Sequence, residues 1–353
     1  MERIFKVSHT NICKGVATLL LLFHHLFYTE SRYSKVTFLI HDKEGIPLLS
    51  KFAVDSRVCV AVFLILSGIG IYIKLDNNKD KTLGKLSQHY RKVLDSLKKM
   101  MFSFWIVFAV FVPISVVVGK TLQLTYGKNV IKNFLIDFFG MTYVFHSPTM
   151  NGAWWYITVA IFSYLTAPLW YWLLQKIKWG MFSVVIIFIM GRGYLYPFAG
   201  FYQTIFYIMF FVLGMCLAKY NLLDKCMIVF SKKVVIQKLM IFIPLLVVAA
   251  FIRHRVGIVF DWIYAPLIIS FICCILAEVK ILSKSLGYIG KHSGNIFYCH
   301  SFFYSQFFLF EELYALKYPI FIFVALLFMS LTSSNCIEYG KKGFAGLKQL
   351  FKR

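Results

Sequence analysis

The chain has 353 residues, 59% of them hydrophobic and 19% aromatic, with a mean hydropathy of +0.72 and a net charge of +23. Apolar runs of about 20 residues recur from end to end, each enough to carry a helix across a hydrocarbon layer about 30 Å thick, and this excludes a soluble globular domain. The positive charge is spread over many short loops, a pattern that argues against nucleic-acid binding and fits a belt facing anionic lipid.

The N-terminus, MERIFKVSHTNICKG, is basic and leads into an apolar run with no small-residue cleavage site, so it is expected to stay as the first helix. Ten spans are expected, near 11–29, 56–74, 100–118, 153–174, 178–192, 198–218, 236–252, 256–277, 286–310 and 318–337. The fifth is short and ends in GRGYLYP, a Gly/Pro turn signal. VIKNFLIDFFGMTYVF, between the third and fourth, carries Lys132, Asn133 and Asp137 close together and reads as an interfacial or re-entrant helix. Placing the N-terminus in the cytoplasm puts 26 of the 38 lysines and arginines on the inner side, so both termini are expected to be cytoplasmic. KLSQHYRKVLDSLKKMMF and the tail KKGFAGLKQLFKR read as basic amphipathic helices on that surface. The expected fold is thus an all-α integral membrane protein of ten transmembrane helices plus interfacial helices, with one domain over 1–340 and a basic cytoplasmic tail over 341–353. The eight cysteines show no CxxC and no spaced His/Cys cluster, so neither a disulfide framework nor a metal site is expected.

Ionisable groups inside spans are costly and mark functional paths. His25 lies in GVATLLLLFHHLF and His300 in GKHSGNIFYCHSFF, each well into a span that runs from inside to outside, hence at similar depth. Lys14 precedes His25 by eleven residues, three turns plus about 20°, so both project from one helix face about 16 Å apart along the axis. His24 points elsewhere and reads as a packing residue. A neutral imidazole in a cavity is suited to take a proton from a hydroxyl that attacks a carbonyl, and a cation at the inner mouth suits an anionic donor. Against these stand plainer roles: Lys14 as a snorkelling anchor and His300 as a hydrogen-bonded packing residue.

Four segments resemble the acyltransferase 3 family of integral-membrane acyltransferases, and the resemblance covers nearly the whole chain. The first helix has the basic residue, ten intervening positions and histidine of that family, as Lys14 and His25. SRVCVAVFLILSGIGIY is similar to its second helix through Arg57, Val60, Phe63, Ser67 and Gly68. GAWWYITVAIFSYLTAPL resembles its tryptophan-led helix through Trp155, Tyr156, Tyr164 and Pro168, and LGYIGKHSGNIFYCHSFF its ninth through Gly287, Ser293, Ile296, Tyr298 and His300. The resemblance implies acetyl transfer from cytoplasmic acetyl-CoA, a co-substrate and not a tightly bound cofactor, to a hydroxyl of an extracytoplasmic cell-envelope carbohydrate. It implies His25 as the essential histidine, Lys14 as its partner toward the donor, Arg57 as a second polar group and His300 as a supporting residue. The family's cytoplasmic Arg-x-x-Arg is half present: Arg91 matches one arginine and Gln88 or Leu94 fills the other place, with Lys92 or His89 as substitutes. The acidic residue many members carry in the tryptophan-led helix is missing. Many members also carry a fused extracytoplasmic domain, and this chain is expected to act as a stand-alone member.

Donor contacts are therefore expected from Lys14, Arg91 and Lys92. Acceptor contacts are expected from outer-loop residues, chiefly His146, Trp154, Arg192 and Arg253, with Tyr143, Tyr194 and Arg255 beside them. The expected partners are acetyl-CoA, a carbohydrate acceptor and the bilayer. Lys- and Ile-rich composition points to an AT-rich bacterial genome, and the expected location is the plasma membrane. A transporter or flippase of lipid-linked sugars is the rival reading, and the two halves show neither the internal repeat nor the buried carboxylate couple that it favours.

Overall fold

The computed structural model describes the backbone of residues 3–77, 86–193, 199–304 and 309–350, and their side chains except those of 193–202 and 344–350. Tyr194 and residues 351–353 of the basic tail lie outside the described residues. Among the described residues the regular structure is helical, with one isolated bridge between His41 and Pro47. Counting helices of eight residues or more, α1 is Val7–Phe27, α2 Leu48–Asp55, α3 Cys59–Asp76, α4 Leu86–Val117, α5 Val130–Phe138, α6 Trp155–Ile177, α7 Gly180–Met190, α8 Ala199–Lys219, α9 Leu222–Ser231, α10 Val235–Val256, α11 Asp261–Phe271, α12 Lys280–Tyr304 and α13 Pro319–Leu350.

Seven helical segments of the described residues are long and apolar enough to cross a membrane: α1, Leu48–Asp76 (α2 running through a 3-10 turn into α3), α4, Gly152–Ile177 around α6, α10, Ile258–Leu276 around α11, and α13 as far as Gly343. The pair α8 and α9, bent by 57° at their junction, brings the number to as many as eight. The chain is a multi-pass helical membrane protein. The expected ten also include α7 and α12. At 11 residues, α7 rises only about 16 Å. With 25 residues, α12 is long enough, but its first half, KILSKSLGYIGKHSG, is polar. Its second half is buried against protein from Asn295 through Tyr304 with the exception of Phe297, and protein neighbours satisfy polar groups that lipid cannot. The VIKNFLID stretch forms the short helix α5 and is not a span. The two basic amphipathic segments are continuous with spans: α4 runs unbroken for 32 residues from Leu86, and α13 for 32 residues to Leu350.

The bundle is organised around α1, whose most extensive partner is α12. The two run the same way and touch backbone to backbone. A Cβ added at Gly290 would stand 1.8 Å from the Asn11 carbonyl oxygen, and one at Gly15 would stand 2.1 Å from that of Leu286. Lipid tails are as apolar as leucine, so helix association inside a membrane relies on close packing, and small residues permit it. The same device joins α3 to α8, where a Cβ at Gly68 would stand 1.9 Å from the Phe211 carbonyl oxygen and one at Gly214 would stand 2.1 Å from that of Ile65. Around these crossings lie two apolar cores. Cys13, Ala17 and Leu21 of α1 enter the one built on α3 and α8. Leu22, Leu26 and Phe27 enter the one built on α4, α12 and α13. Thus α1 forms the seam between them.

Two features outside these cores use charge. The first is α10, which turns Met240, Ile243, Val247 and Phe251 outward and has little apolar contact with the bundle. It is tied near its start by Lys238 to Glu278 at 2.5 Å. Near its end, the buried Arg253 bonds Asp55 at 2.7 Å and Asp261 at 2.9 Å. The second is α5, which presents the fully buried Asp137 to the loop ahead of α6. The carboxylate accepts from Tyr126 Oη at 2.8 Å, Thr149 Oγ1 at 2.8 Å and the Met150 amide at 2.7 Å. Burial outweighs these donors and pushes Asp137 up to about 6.

Three outcomes are expected. Gly290→Leu drives a side chain into the α1 backbone and lowers stability by about 1–3 kcal/mol or more, read as an earlier melting transition in detergent; an unchanged melt would show that the crossing is loose. Arg253→Ala leaves Asp55 and Asp261 without their shared partner and costs about 3–5 kcal/mol, so it is expected to melt early whether or not a ligand is bound. Between the ordinary carboxylate value of 3.8 and about 6, folded Asp137 holds a proton that the unfolded chain releases. Its contribution to stability therefore rises as pH falls from 7 to 5 and is lost as pH rises through 6. Amide exchange at Met150 should slow across that window in the native chain and lose this dependence in Asp137→Asn.

Candidate active site

Where α1, the start of α3, the end of α12 and the loop before α6 converge, they enclose a cavity of about 640 Å³, a size that accommodates a small organic ligand. Its lining comes from the C-terminal end of α1 (His24, His25, Tyr28), from Arg32, Arg57 and Lys120, from the Met150–Gly152 turn, from Trp155, and from Ser301 and Tyr304. All these segments lie at the same end of the bundle, and the loops Tyr28–Arg32 and Met150–Gly152 form its rim.

His25, on the lining of this space, packs against His300 just behind it, ring centroids 5.1 Å apart. The glycine crossing explains why. Each histidine lies ten residues beyond its helix's contact glycine, Gly15 or Gly290. Parallel helices locked at the glycines therefore carry both imidazoles about 15 Å further to one height. His300 Nδ1 stands 3.0 Å from the carbonyl oxygens of Ile296 and Phe297. A carbonyl only accepts, so Nδ1 carries the proton and Nε2 keeps its lone pair. Among the described residues, that Nε2 is buried without a partner, and so is His25 Nδ1. Unmet buried nitrogens on facing rings are a rare arrangement in a packed interior. A hydroxyl brought through the cavity would reach the pair at the His25 ring.

Neighbouring groups hold the pair. Tyr304 stacks on His25 at 5.8 Å, and the Arg32 guanidinium lies over the rings of Tyr28 and Tyr304 at 4.7 and 4.9 Å. Arg32 Nη1 donates to the His25 carbonyl at 2.6 Å, closing the end of α1. Asn151 Oδ1 accepts from the Ala153 amide at 2.9 Å and from Ser301 Oγ at 2.5 Å, while its Nδ2 donates to the Tyr298 carbonyl at 3.3 Å. These bonds tie the loop before α6 to α12 beside His300.

The expected site residues divide into three groups. His25 and Arg57 line the cavity, and His300 is fully buried against its wall. Arg57 Nη2 donates to Tyr207 Oη at 2.8 Å. His24, expected to point elsewhere, also lines the cavity, with Nδ1 donating to the Ala53 carbonyl at 2.7 Å. Lys14, Arg91 and Lys92 are not brought to the cavity. Lys14 is half-buried two residues past Ile12, toward the opposite end of α1. Arg91 is exposed on α4, and Lys92 exchanges bonds with Lys74, each ammonium donating to the other's carbonyl at 3.0 and 2.7 Å. Of the expected acceptor residues that are described, none lines the cavity. Trp154 is fully buried, its Nε1 donating to the Tyr298 carbonyl at 3.0 Å, and the adjacent Trp155 takes the cavity position. Arg253 is engaged in its ion pairs. His146 is exposed with φ 47°, and Arg192 lies 5.1 Å from the Phe206 ring. Arg32, Lys120, Asn151 and Ser301 line the cavity without belonging to any motif. The one local signal is that Arg32 follows His25 by about two helical turns. Deeper in the bundle, Ser67 stands near Tyr156 and Tyr164, polar groups drawn from two of the family-like segments.

Among the described residues, no cluster of three His, Cys, Asp or Glu side chains is placed to hold a metal ion. No curated protein and no solved structure matches the chain. A family model described as an acyltransferase domain matches residues 10–337, from the start of α1 through most of α13. With both histidines inside that match and nearly the whole length covered, the chain belongs to the acyltransferase 3 family of membrane acyltransferases.

Proposed function

We propose that the chain transfers an acetyl group from cytoplasmic acetyl-CoA to a hydroxyl of an extracytoplasmic cell-envelope carbohydrate at a bacterial plasma membrane. The observation that carries this reading is the contacting pair of histidines, each with a buried nitrogen that has no partner among the described residues, beside a polar cavity. The acceptor hydroxyl enters through the loop-rimmed end. His25 takes its proton as the oxygen attacks the thioester carbonyl, and the coenzyme thiolate leaves toward the inner face. Arg57 flanks the oxygen on which charge develops, and His300, with its own proton held on backbone carbonyls, supports the His25 ring. Transfer in two steps, through an acetyl group held briefly on a histidine nitrogen, uses the same atoms.

The donor approaches from the opposite end of the bundle, where Lys14, Arg91 and Lys92 supply positive charge for its phosphates. Lys14 and His25 share a helix face along this route. The Ser67–Tyr156–Tyr164 set gives the intervening depth hydrogen-bonding groups for the pantetheine arm. The positive-inside pattern supports cytoplasmic termini, which puts the cavity rim on the outer side.

Membranes containing the chain are expected to move radiolabelled acetyl from acetyl-CoA into envelope carbohydrate. His25→Ala should lower that rate by about 10²–10⁴-fold, the range for a lost general base. Equal transfer by the native and substituted chains would remove the catalytic role, and sugar uptake without acetylation would replace it with transport.

A further inference from the structure

The cavity lining is one-signed. Arg32, Arg57 and Lys120 reach it, Lys120 also donating to the Met150 carbonyl at 2.5 Å, and no aspartate or glutamate is among the described residues that line it. The nearby carboxylates are turned elsewhere. Asp55 and Asp261 hold Arg253 behind the wall, and Asp137 is buried beneath Thr149 and Met150. Among the described residues, neither Arg32 nor Arg57 forms an ion pair with a carboxylate. Their bonds run to neutral groups: Arg57 to the Tyr207 hydroxyl, Arg32 to the His25 carbonyl and to two aromatic faces. A guanidinium carries five N–H donors, so both keep donors for a planar oxyanion. Low-dielectric walls around charges of one sign focus the field into the opening and concentrate counter-charged ligands there.

Resting on acyl transfer at the His25–His300 pair, we propose that the acceptor is an anionic carbohydrate whose carboxylate or phosphate is held by Arg57, Arg32 and Lys120. Arg32 and Lys120 are its specificity determinants. Arg32 contacts both the His25 carbonyl and Tyr304, the ring stacked on His25. An anion on Arg32 therefore sets a hydroxyl of the same or the adjoining sugar beside the imidazoles. The half-buried Trp155 offers a ring face against which a sugar can stack. A neutral acceptor would leave the spare donors of Arg32 and Arg57 without a planar oxyanion to receive them.

The test uses acceptor pairs that differ only in charge: a glucuronate-containing disaccharide against its carboxyl-reduced form, and glucose phosphate against glucose. With acetyl-CoA and the full chain in phosphatidylcholine nanodiscs, the charged member of at least one pair should show kcat/KM higher by about tenfold. Arg32→Gln and Lys120→Gln should each erode that advantage through the acceptor KM, with the acetyl-CoA KM unmoved. Arg32→Lys, which keeps the charge, should retain most of it. A neutral member used as well as its charged counterpart in both pairs, or an advantage that survives Arg32→Gln and Lys120→Gln together, would overturn the proposal. If acetyl moves to no acceptor, acetyl transfer itself fails, and binding decides the anion site separately. His25→Ala protein should bind a charged member about tenfold more tightly than its neutral partner, with the difference shrinking as salt rises; equal or absent binding across both pairs would end it.

Discussion

The arrangement of this protein depends on one contact, the backbone-to-backbone crossing of α1 and α12 at Gly15 and Gly290. No side chain intervenes there, so the helices are fixed in both separation and height, and helical rise alone then carries His25 and His300 to a common level. A larger residue at either glycine would meet the partner's backbone and force the helices to shift, displacing one imidazole relative to the other. The equal ten-residue offset on two parallel helices makes the histidine pair a consequence of packing geometry established some 15 Å away.

Charge is distributed with the same economy. Few carboxylates occur in the chain, and those near the site serve as anchors for structure: Asp55 and Asp261 hold α10, which has little apolar contact of its own, and Asp137 holds the turn at the rim. Their negative charge lies behind the cavity wall, while the cations project into it. The site is thereby positively lined without any large excess of charge in its immediate surroundings. Asn151, through bonds to Ser301 and the Tyr298 carbonyl, transmits the position of the rim turn to α12 next to His300. The loop before α6 is consequently part of the site's framework, although it is an irregular segment.

Legibility in the sequence varied with how much each feature depends on local pattern. Apolar runs announced a multi-pass helical membrane protein, because burying a backbone in lipid leaves few alternatives to a helix. They overstated the regularity of the spans. α7 is too short, α8 and α9 bend at their junction, and α12 mixes lysine, serine and histidine into a helix that protein covers. Hydropathy reports average polarity and cannot distinguish a lipid-facing helix from one enclosed by its neighbours. The histidines and Arg57 were legible because a titratable group in an apolar run is expensive. Arg253 was equally conspicuous, yet two distant carboxylates claim it. Trp154 and Trp155 are adjacent and chemically identical, and only packing decides that the first fills the core and the second faces the cavity.

By itself, the sequence determined the helical membrane class, the family, and the depth of the two histidines on their helices, since all three follow from composition, motif spacing and a constant rise per residue. Only the tertiary structure decided that these histidines meet, that Arg32, Lys120, Asn151 and Ser301 join them, and that Arg253 does not. Those outcomes depend on which helices touch and where loops return, and such contacts between residues far apart in the chain leave no periodic trace in it.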